Sequence, residues 1–212
     1  MQRYVIFANG RFDPKAAEWL EPNDFIICAD GGTLHAQKLD IVPDVIIGDM
    51  DSIPEPVLEE MKNQGVAIIR HPVNKDKTDL ELALDYATEQ HATEILILTA
   101  LGGRLDQSFA NILLLTRENQ PKTQIQIRNE NVLIQVMTEH QSLTLNPPLN
   151  SQLSLLPISE NVHIKTLSGV KWLLKDETLE RGQTRGISNS TTNETIDLQI
   201  GQGICMLVIE FA

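Results

Sequence analysis

The sequence predicts an α/β protein: an N-terminal, mostly parallel sheet with flanking helices, followed by a C-terminal all-β sandwich domain. Two observations carry this prediction. In the first half, short and almost continuously apolar runs alternate with helical patterns, as expected for strands buried on both faces of a parallel sheet. From about residue 124 the runs are strand-like and no good helix lies between them, which favours a small sandwich or barrel.

The elements follow in order along the chain. Strands are predicted over residues 4–8, 25–29, 45–47, 66–70 and 95–99. Helices are predicted near residues 14–20, 33–39, 54–64, 79–90 and 105–118. Further strands are predicted over residues 124–128, 131–138, 152–157, 162–166, 195–200 and 203–211. We therefore predict an α/β domain over residues 1–123 and a β-sandwich domain over residues 124–212.

Composition narrows the class of function. The 212 residues include 29 acidic and 17 basic ones, giving a formal net charge of −12. Nucleic acid is therefore not an expected partner, because binding its phosphates needs a concentrated basic surface. No apolar stretch is long enough to span a membrane, and the N-terminus has no signal-peptide pattern. Cys28 and Cys205 lie in apolar runs, which favours buried free thiols, and the expected location is the cytoplasm.

Acidic and glycine residues follow four successive predicted strands. The four segments are Ala29-Asp30-Gly31-Gly32, Gly48-Asp49-Met50-Asp51-Ser52, Lys75-Asp76-Lys77-Thr78-Asp79-Leu80-Glu81 and Leu101-Gly102-Gly103-Arg104-Leu105-Asp106. The carboxyl ends of parallel strands meet at one edge of a sheet, where open α/β proteins bind their ligands. The sequence therefore predicts that these carboxylates converge.

Converging carboxylates repel one another unless a cation or a proton neutralises them. Mg²⁺ prefers carboxylate, water and phosphate oxygens, so we expect Asp49, Asp51 and Asp79 to hold Mg²⁺. Such a site suits phosphoryl transfer, in which cations stabilise charge on the moving group. Arg104 follows two glycines at a predicted helix start, where a guanidinium can contact phosphate, and Lys75 is a second candidate for that contact.

Each motif also has a purely structural interpretation. Ser52 with Glu55, and Thr78 with Glu81, have the spacing of capping boxes that start helices. Asp79 would then lie in the first turn of a helix, where the dipole favours a carboxylate. The glycine pairs are compatible with tight turns alone. These interpretations do not exclude function, because helix N-termini themselves bind phosphate.

At these residues the sequence resembles the thiamine pyrophosphokinase family over essentially its whole length. The matching blocks are Ala29-Asp30-Gly31-Gly32, Gly48-Asp49-x-Asp51-Ser52, Lys75-Asp76-x-Thr78-Asp79-x-Glu81-x-Ala83-Leu84, Gly102-Gly103-Arg104-x-Asp106 and Gly186-Ile187-Ser188-Asn189. The resemblance implies transfer of a pyrophosphoryl group from ATP to thiamine, with Mg²⁺ as cofactor. It also implies that the α/β domain is the catalytic domain for ATP and Mg²⁺ and that the β-sandwich helps to bind thiamine. A homodimer with active sites at the interface is implied as well.

The resemblance further implies roles for individual residues. Metal and ATP contacts fall on Asp49, Asp51, Thr78, Asp79, Arg104 and Asp106, and we add Gly31 and Lys75 to the ATP-binding set. Thiamine contacts fall on Asp30, Ser188 and Asn189, the last two reaching the partner subunit's site. Some relatives carry a tryptophan in the last strand that packs on the thiamine pyrimidine. This chain has Ile204-Cys205-Met206-Leu207 there, and Trp172 is expected to pack in the core.

Two other classes of function fit the acidic loops. A metal-dependent phosphohydrolase would release phosphate from a nucleotide without an acceptor. A non-catalytic thiamine or nucleotide binder would bind thiamine and form no AMP at any Mg²⁺ concentration. A binder has no need to maintain so many repelling carboxylates, which favours the enzyme.

Overall fold

The computed structural model describes residues 2–117 and 123–212, and the chain divides into two compact units, Met1–Glu130 and Asn131–Ala212. The sequence places its domain boundary seven residues earlier, after residue 123. The difference is the strand Gln124–Asn129, which pairs in parallel with Glu94–Leu98 in the first unit. From sequence this segment pairs with the strand predicted over residues 131–138 around an Asn-Glu turn, which explains its assignment to the β domain.

The first unit contains a parallel sheet. Within the described residues its strands are β1 (Arg3–Phe7), β2 (Phe25–Ala29), β3 (Val45–Gly48), β4 (Ala67–Arg70), β5 (Glu94–Leu98) and β6 (Gln124–Asn129). They lie in the order β6-β5-β1-β2-β3-β4, and each neighbouring pair is parallel. The α/β prediction is therefore confirmed, and the carboxyl ends of these strands share one edge.

Helices connect these strands, as a parallel sheet requires. They are α1 (Gly32–Lys38), α2 (Glu55–Asn63), α3 (Asp79–Glu89) and α4 (Leu105–Leu113). Helix α3 buries Leu80, Ala83, Leu84 and Ala87, the apolar stripe expected at a spacing of three to four residues. No residue of α4 is buried, although its sequence is strongly amphipathic. This helix consequently leaves an apolar face exposed.

Two of the five predicted helices differ in the structure. The helix predicted near residues 14–20 is a short 3-10 helix, Ala16–Trp19. The helix predicted over residues 105–118 ends at Leu113 and continues as a 3-10 turn, Leu114–Thr116, while Glu118 lies outside the described residues. Both segments are short, and tertiary packing decides such cases more strongly than propensity does.

The second unit contains two antiparallel sheets. Its strands are β7 (Val132–Met137), β8 (Ser142–Leu145), β9 (Gln152–Pro157), β10 (Asn161–Ser168), β11 (Leu174–Glu180), β12 (Asn189–Ser190), β13 (Ile196–Gln202) and β14 (Cys205–Glu210). One sheet has the order β12-β9-β14-β7 and the other β11-β10-β13-β8. Leu133, Leu155, Ile164 and Leu198 contribute to a core made from both sheets, which confirms the predicted sandwich.

Strands β8, β11 and β12 are absent from the sequence prediction. Most of β11 is exposed, with only Leu174 and Leu179 buried, so its sequence lacks a regular apolar alternation. Strand β12 has two residues, too few for any periodicity. No helix in the described part of the chain has both the length and the apolar character needed to cross a membrane.

Candidate active site

Three carboxylates converge at the carboxyl edge of the first unit's sheet. Asp30 directly follows β2, Asp49 directly follows β3, and Asp79 is the first residue of α3. One carboxylate oxygen from each of the three lies within 4.8 Å of the other two. We call this set the acidic cluster. The predicted convergence therefore holds for three of the loops.

Gly48 makes the close approach of these side chains possible. A Cβ atom at this position would lie 2.9 Å from the Asp30 Cβ and 3.0 Å from the Asp79 Oδ1. Contacts below 3.0 Å are sterically forbidden for a real Cβ, so any side chain here would push the carboxylates apart. The glycine before Asp49 thus belongs to the geometry of the cluster, a role that the sequence motif alone does not reveal.

Lys75 provides the positive charge within the cluster. Its Nζ lies 2.8 Å from the Asp49 Oδ2 and 2.8 Å from the Asp79 Oδ1, and its side chain is mostly buried. Burial lowers the pKa of this ammonium, but the two carboxylates outweigh that effect and the pKa is raised. Lys75 is therefore firmly charged, and it neutralises part of the cluster.

The pKa values of the two carboxylates that share Lys75 are shifted in opposite directions. The hydrogen bond from Lys75 is the largest influence on Asp49 and holds its pKa below the ordinary value. Burial is the largest influence on Asp79 and raises its pKa despite the same lysine, with Asp49 and Asp30 adding repulsion. Asp79 therefore has the greater need for a further cation, because its charged form is the less stabilised of the two.

Asp30 shows most clearly that the cluster suits a cation. The residue is 4% exposed, and its Oδ1 is buried without a hydrogen-bond partner among the described residues. Its backbone also lies in the left-handed region, with φ of 43°, which costs about 1 kcal/mol in a residue other than glycine. A buried, unpaired carboxylate oxygen beside two more carboxylates is unfavourable unless a cation binds there.

Replacing Asp30 by Asn is expected to stabilise the metal-free protein by about 1 kcal/mol, because the change removes one of three repelling charges. The same variant should lose most of the stabilisation that Mg²⁺ gives the wild-type protein. Urea unfolding with EDTA and with Mg²⁺ measures both effects. Asp40→Asn is the matched control, since Asp40 is exposed and also has a positive φ, of 56°. An Asp30→Asn protein that is less stable yet still stabilised by Mg²⁺ would exclude a cation role for Asp30.

Asp51, a predicted metal ligand, lies outside the acidic cluster. Its side chain is exposed and accepts a hydrogen bond from the Ser52 hydroxyl at 3.0 Å. Its backbone N–H donates to the Asp49 Oδ1 at 3.2 Å, so it supports the neighbouring ligand. The predicted Ser52–Glu55 capping box is wrong, because α2 begins after Pro54 and has no side-chain cap.

Thr78 and Gly31, two further residues predicted to bind ATP, have structural roles in the loops that carry them. Thr78 caps α3, with its Oγ1 accepting from the Glu81 N–H at 3.2 Å, so half of the predicted capping box is present. Gly31 is buried, and a Cβ there would lie 2.3 Å from the Asn9 Nδ2. Gly31 therefore leaves room for the Asn9 side chain, which comes from the loop that follows β1.

Arg104 and Asp106 pair with each other instead of joining the cluster. The Arg104 Nη2 lies 2.6 Å from the Asp106 Oδ2, and both side chains are largely exposed. This pairing raises the pKa of Arg104 and lowers that of Asp106. An exposed ion pair contributes little to stability, so the guanidinium can be released to a phosphate at small cost.

Arg11 is a cationic residue that the sequence motifs missed. It is exposed in the loop after β1, and its backbone N–H donates to the Leu101 carbonyl at 2.8 Å. Gly102 accommodates it, since a Cβ at Gly102 would lie 2.7 Å from the Arg11 Cβ. The loop after β1 starts at the same sheet edge as the acidic loops. That position is the feature of the sequence that could have identified Arg11 as a site residue.

The second unit contains a cavity of about 210 Å³ beside the Ser188-Asn189 motif. Its lining includes Trp172, Leu174, Arg185, Ile187 and Asn189. Asn189 is buried, whereas Ser188 is exposed with φ of 61° and donates its backbone N–H to the Ser154 Oγ at 3.1 Å. Trp172 is 48% exposed, so the expectation that it packs in the core is wrong.

Comparison with known proteins agrees with this arrangement. The family profile described as the catalytic domain of thiamin pyrophosphokinase matches residues 16–127, and the profile of its vitamin B1 binding domain matches residues 133–205. The chain is 28% identical over 195 residues to the thiamine pyrophosphokinase of Bacillus subtilis, covering 92% of this chain and 91% of that protein. It is 30% identical over 203 residues to thiamine pyrophosphokinase 1 of rice, Oryza sativa subsp. japonica, covering 80% and 73%.

A solved structure is similar throughout. The crystal structure of a thiamine pyrophosphokinase from Bacillus subtilis superimposes with a TM-score of 0.90 at 27% identity, covering 100% of each chain. The match of the catalytic-domain profile extends over the acidic loops, and that of the second profile includes the cavity-lining residues. The chain therefore belongs to the thiamin pyrophosphokinase family.

Proposed function

We propose that the acidic cluster binds Mg²⁺ and the triphosphate of ATP, and that the cavity of the second unit binds thiamine. The enzyme then carries out the reaction of its family, the transfer of a pyrophosphoryl group from ATP to the hydroxyl of thiamine. The observation that carries the proposal is the convergence of one carboxylate oxygen each from Asp30, Asp49 and Asp79 within 4.8 Å of one another, in a cluster where the Asp30 Oδ1 is buried and unpaired.

The donor set fits Mg²⁺. Three carboxylates offer hard oxygen atoms, and no histidine or cysteine belongs to the cluster found among the described residues. Asp30, Asp49 and Asp79 would hold the ion, with Asp51 one residue beyond Asp49 as a further ligand or a contact to its water. When bound, Mg²⁺ would neutralise phosphate charge and make the β-phosphorus more electrophilic.

The cationic and amide groups of the chain would orient the triphosphate. Lys75 lies within the cluster, so its ammonium can contact a phosphate oxygen once a metal shares its carboxylates. Arg104 can leave Asp106 to contact the transferring phosphoryl group. Gly31 and Thr78 lie in the loops that would surround the triphosphate. The α4 helix starts next to Arg104 and presents unpaired N–H groups of the kind that bind phosphate.

The chemistry requires a bond change at the β-phosphorus. The thiamine hydroxyl oxygen attacks this atom, the bond to the oxygen bridging the α- and β-phosphates breaks, and AMP leaves with that oxygen. The hydroxyl proton goes to a carboxylate or to water, and a carboxylate of the cluster would orient or accept it. Holding the α-phosphate in line with the attacking oxygen is then the main task of the surrounding loops.

We also propose that the enzyme is a homodimer and works in the cytoplasm. Leu105, Phe109 and Leu113 lie at intervals of four along α4 and are 83%, 60% and 42% exposed. An exposed apolar stripe of this kind is typical of a surface that a second protein molecule covers. The free, buried thiols of Cys28 and Cys205 support a reducing compartment.

The product assay tests the proposed reaction. The protein is incubated with ATP, Mg²⁺ and thiamine, and the nucleotides and thiamine phosphates are separated and quantified. We expect AMP and thiamine diphosphate in equal amounts, with little ADP or free phosphate, and no AMP without thiamine. ADP with thiamine monophosphate would contradict the proposal. Phosphate release without thiamine would indicate a phosphohydrolase, and thiamine binding without AMP would indicate a binding protein.

A further inference from the structure

The position of Trp172 is unusual for a tryptophan in a small sandwich. It lies between β10 and β11, is 48% exposed, and lines the cavity together with Leu167, Leu174, Ile187 and Asn189. Burying an indole is favourable, so an exposed one beside a cavity needs a reason. The last strand, β14, contains no aromatic residue.

The backbone of Trp172 is held in place by Asn189. The Asn189 Oδ1 accepts from the Trp172 N–H at 3.0 Å, and the Asn189 Nδ2 donates to the Trp172 carbonyl at 2.7 Å. The same Oδ1 accepts from the Ser190 N–H at 2.9 Å, so both functional groups of this buried amide are used. Asn189 therefore fixes the segment that carries the indole, and little of its hydrogen-bonding capacity remains for a ligand.

The indole already attracts a cation. The Lys171 Nζ lies 4.7 Å from the centroid of the Trp172 ring, within the range of a cation–π interaction. The other cation beside the cavity, Arg185, is paired with Glu177 at 2.8 Å, so its charge is balanced. The thiazolium ring of thiamine is a flat, permanent cation, and its charge and shape suit the face of an indole.

We propose that Trp172 is the aromatic wall that contacts the thiazolium ring of thiamine, and that Asn189 is the positioning residue that holds it. This inference rests on the proposed binding of thiamine in the second unit. It assigns the thiamine contact to the segment between β10 and β11 instead of to the last strand, and it reassigns Asn189 from direct contact to positioning.

Kinetics of four variants test the inference. We expect Trp172→Leu to raise the KM for thiamine by about tenfold and Trp172→Phe by less than about threefold, with the KM for ATP unchanged in both. Asn189→Ala should resemble Trp172→Leu. Lys171→Gln should lower the KM for thiamine by about twofold, because it removes the cation that competes for the ring face. Equal thiamine KM values in the Leu, Phe and wild-type enzymes would overturn the proposal.

Fluorescence gives a readout that does not depend on turnover. The chain has two tryptophans, Trp19 and Trp172, so Trp19→Phe leaves Trp172 as the single indole. Thiamine should quench the emission of Trp19→Phe and leave that of Trp172→Phe unchanged. No quenching in an enzyme that still forms AMP from thiamine would overturn the role of Trp172 and leave the proposed function standing. Absence of AMP formation in the wild-type protein would overturn the proposed function itself.

Discussion

Asp79→Asn is expected to lower kcat/KM for AMP formation by about a hundredfold or more. Asp79 is the cluster carboxylate whose pKa is raised, chiefly by burial, and it shares Lys75 with Asp49 at 2.8 Å. Asn keeps the shape of the side chain and removes the charge that would hold Mg²⁺. The measurement is the steady-state rate of AMP formation over a range of Mg²⁺ concentrations, with thermal unfolding to show that the variant is folded.

Glu89→Gln is the matched control for this variant. Glu89 is the last residue of the same helix, α3, and is exposed, so it loses one charge outside the cluster. Its activity should equal that of the wild-type enzyme. Full activity of Asp79→Asn, or full activity of the wild-type enzyme in excess chelator, would remove the basis for the metal site.

Asp51→Asn separates the two possible ligand sets. The sequence pattern groups Asp51 with Asp49 and Asp79, whereas the structure groups Asp30 with them. A loss as large as that of Asp79→Asn would place Asp51 among the direct ligands. A loss below about tenfold would restrict the direct ligands to the acidic cluster, leaving Asp51 as a support for Asp49 through its backbone N–H.

The sheet and the acidic edge could be predicted because both depend on local patterns. Near-continuous apolar runs identified the parallel strands, and their carboxyl ends placed Asp49 and Asp79 at one edge. Asp30 follows β2 in the same way, but its proposed thiamine contact came from resemblance alone. The burial of its unpaired oxygen depends on how the loops pack in the folded protein, so the sequence does not predict it.

Other features depended on contacts between residues distant in sequence. Nothing local to Gly48 indicates that Asp30 and Asp79 will lie against it. The sequence predicts that Trp172 packs in the core, because large aromatic residues usually do. In the structure, hydrogen bonds from the side chain of Asn189, seventeen residues later, hold the Trp172 backbone beside a cavity. The sequence pattern pairs the segment of β6 with the following strand around an Asn-Glu turn, whereas in the structure β6 pairs in parallel with β5, a partner about thirty residues earlier in the chain.

Combining two variants, each defective in a different unit, is expected to restore about a quarter of the wild-type activity if the enzyme is a dimer with shared sites. One variant, Asp79→Asn, removes the metal and ATP function that we propose for the first unit. The other, Ser188→Ala with Asn189→Ala, impairs the thiamine binding that we propose for the second unit. Random assembly makes half of the dimers mixed, and each mixed dimer then contains one site with an intact first unit and an intact second unit.

The restored activity follows from which copies supply the two halves of a site. If ATP on one copy reacts with thiamine on the other, the mixed dimer has one working site of two, which gives the expected quarter. If each chain reacts its own ATP with its own thiamine, both chains of the mixed dimer stay defective and mixing adds nothing. The measurement is AMP formation after co-expression of the two variants, at a thiamine concentration well below the KM of the double variant. Asp49→Asn mixed with Asp79→Asn is the negative control, because both changes damage the first unit and no pairing of the two repairs it.

A Phe109→Glu change in both copies should abolish the restored activity, since it places a charge in the exposed apolar stripe of α4 and opposes assembly.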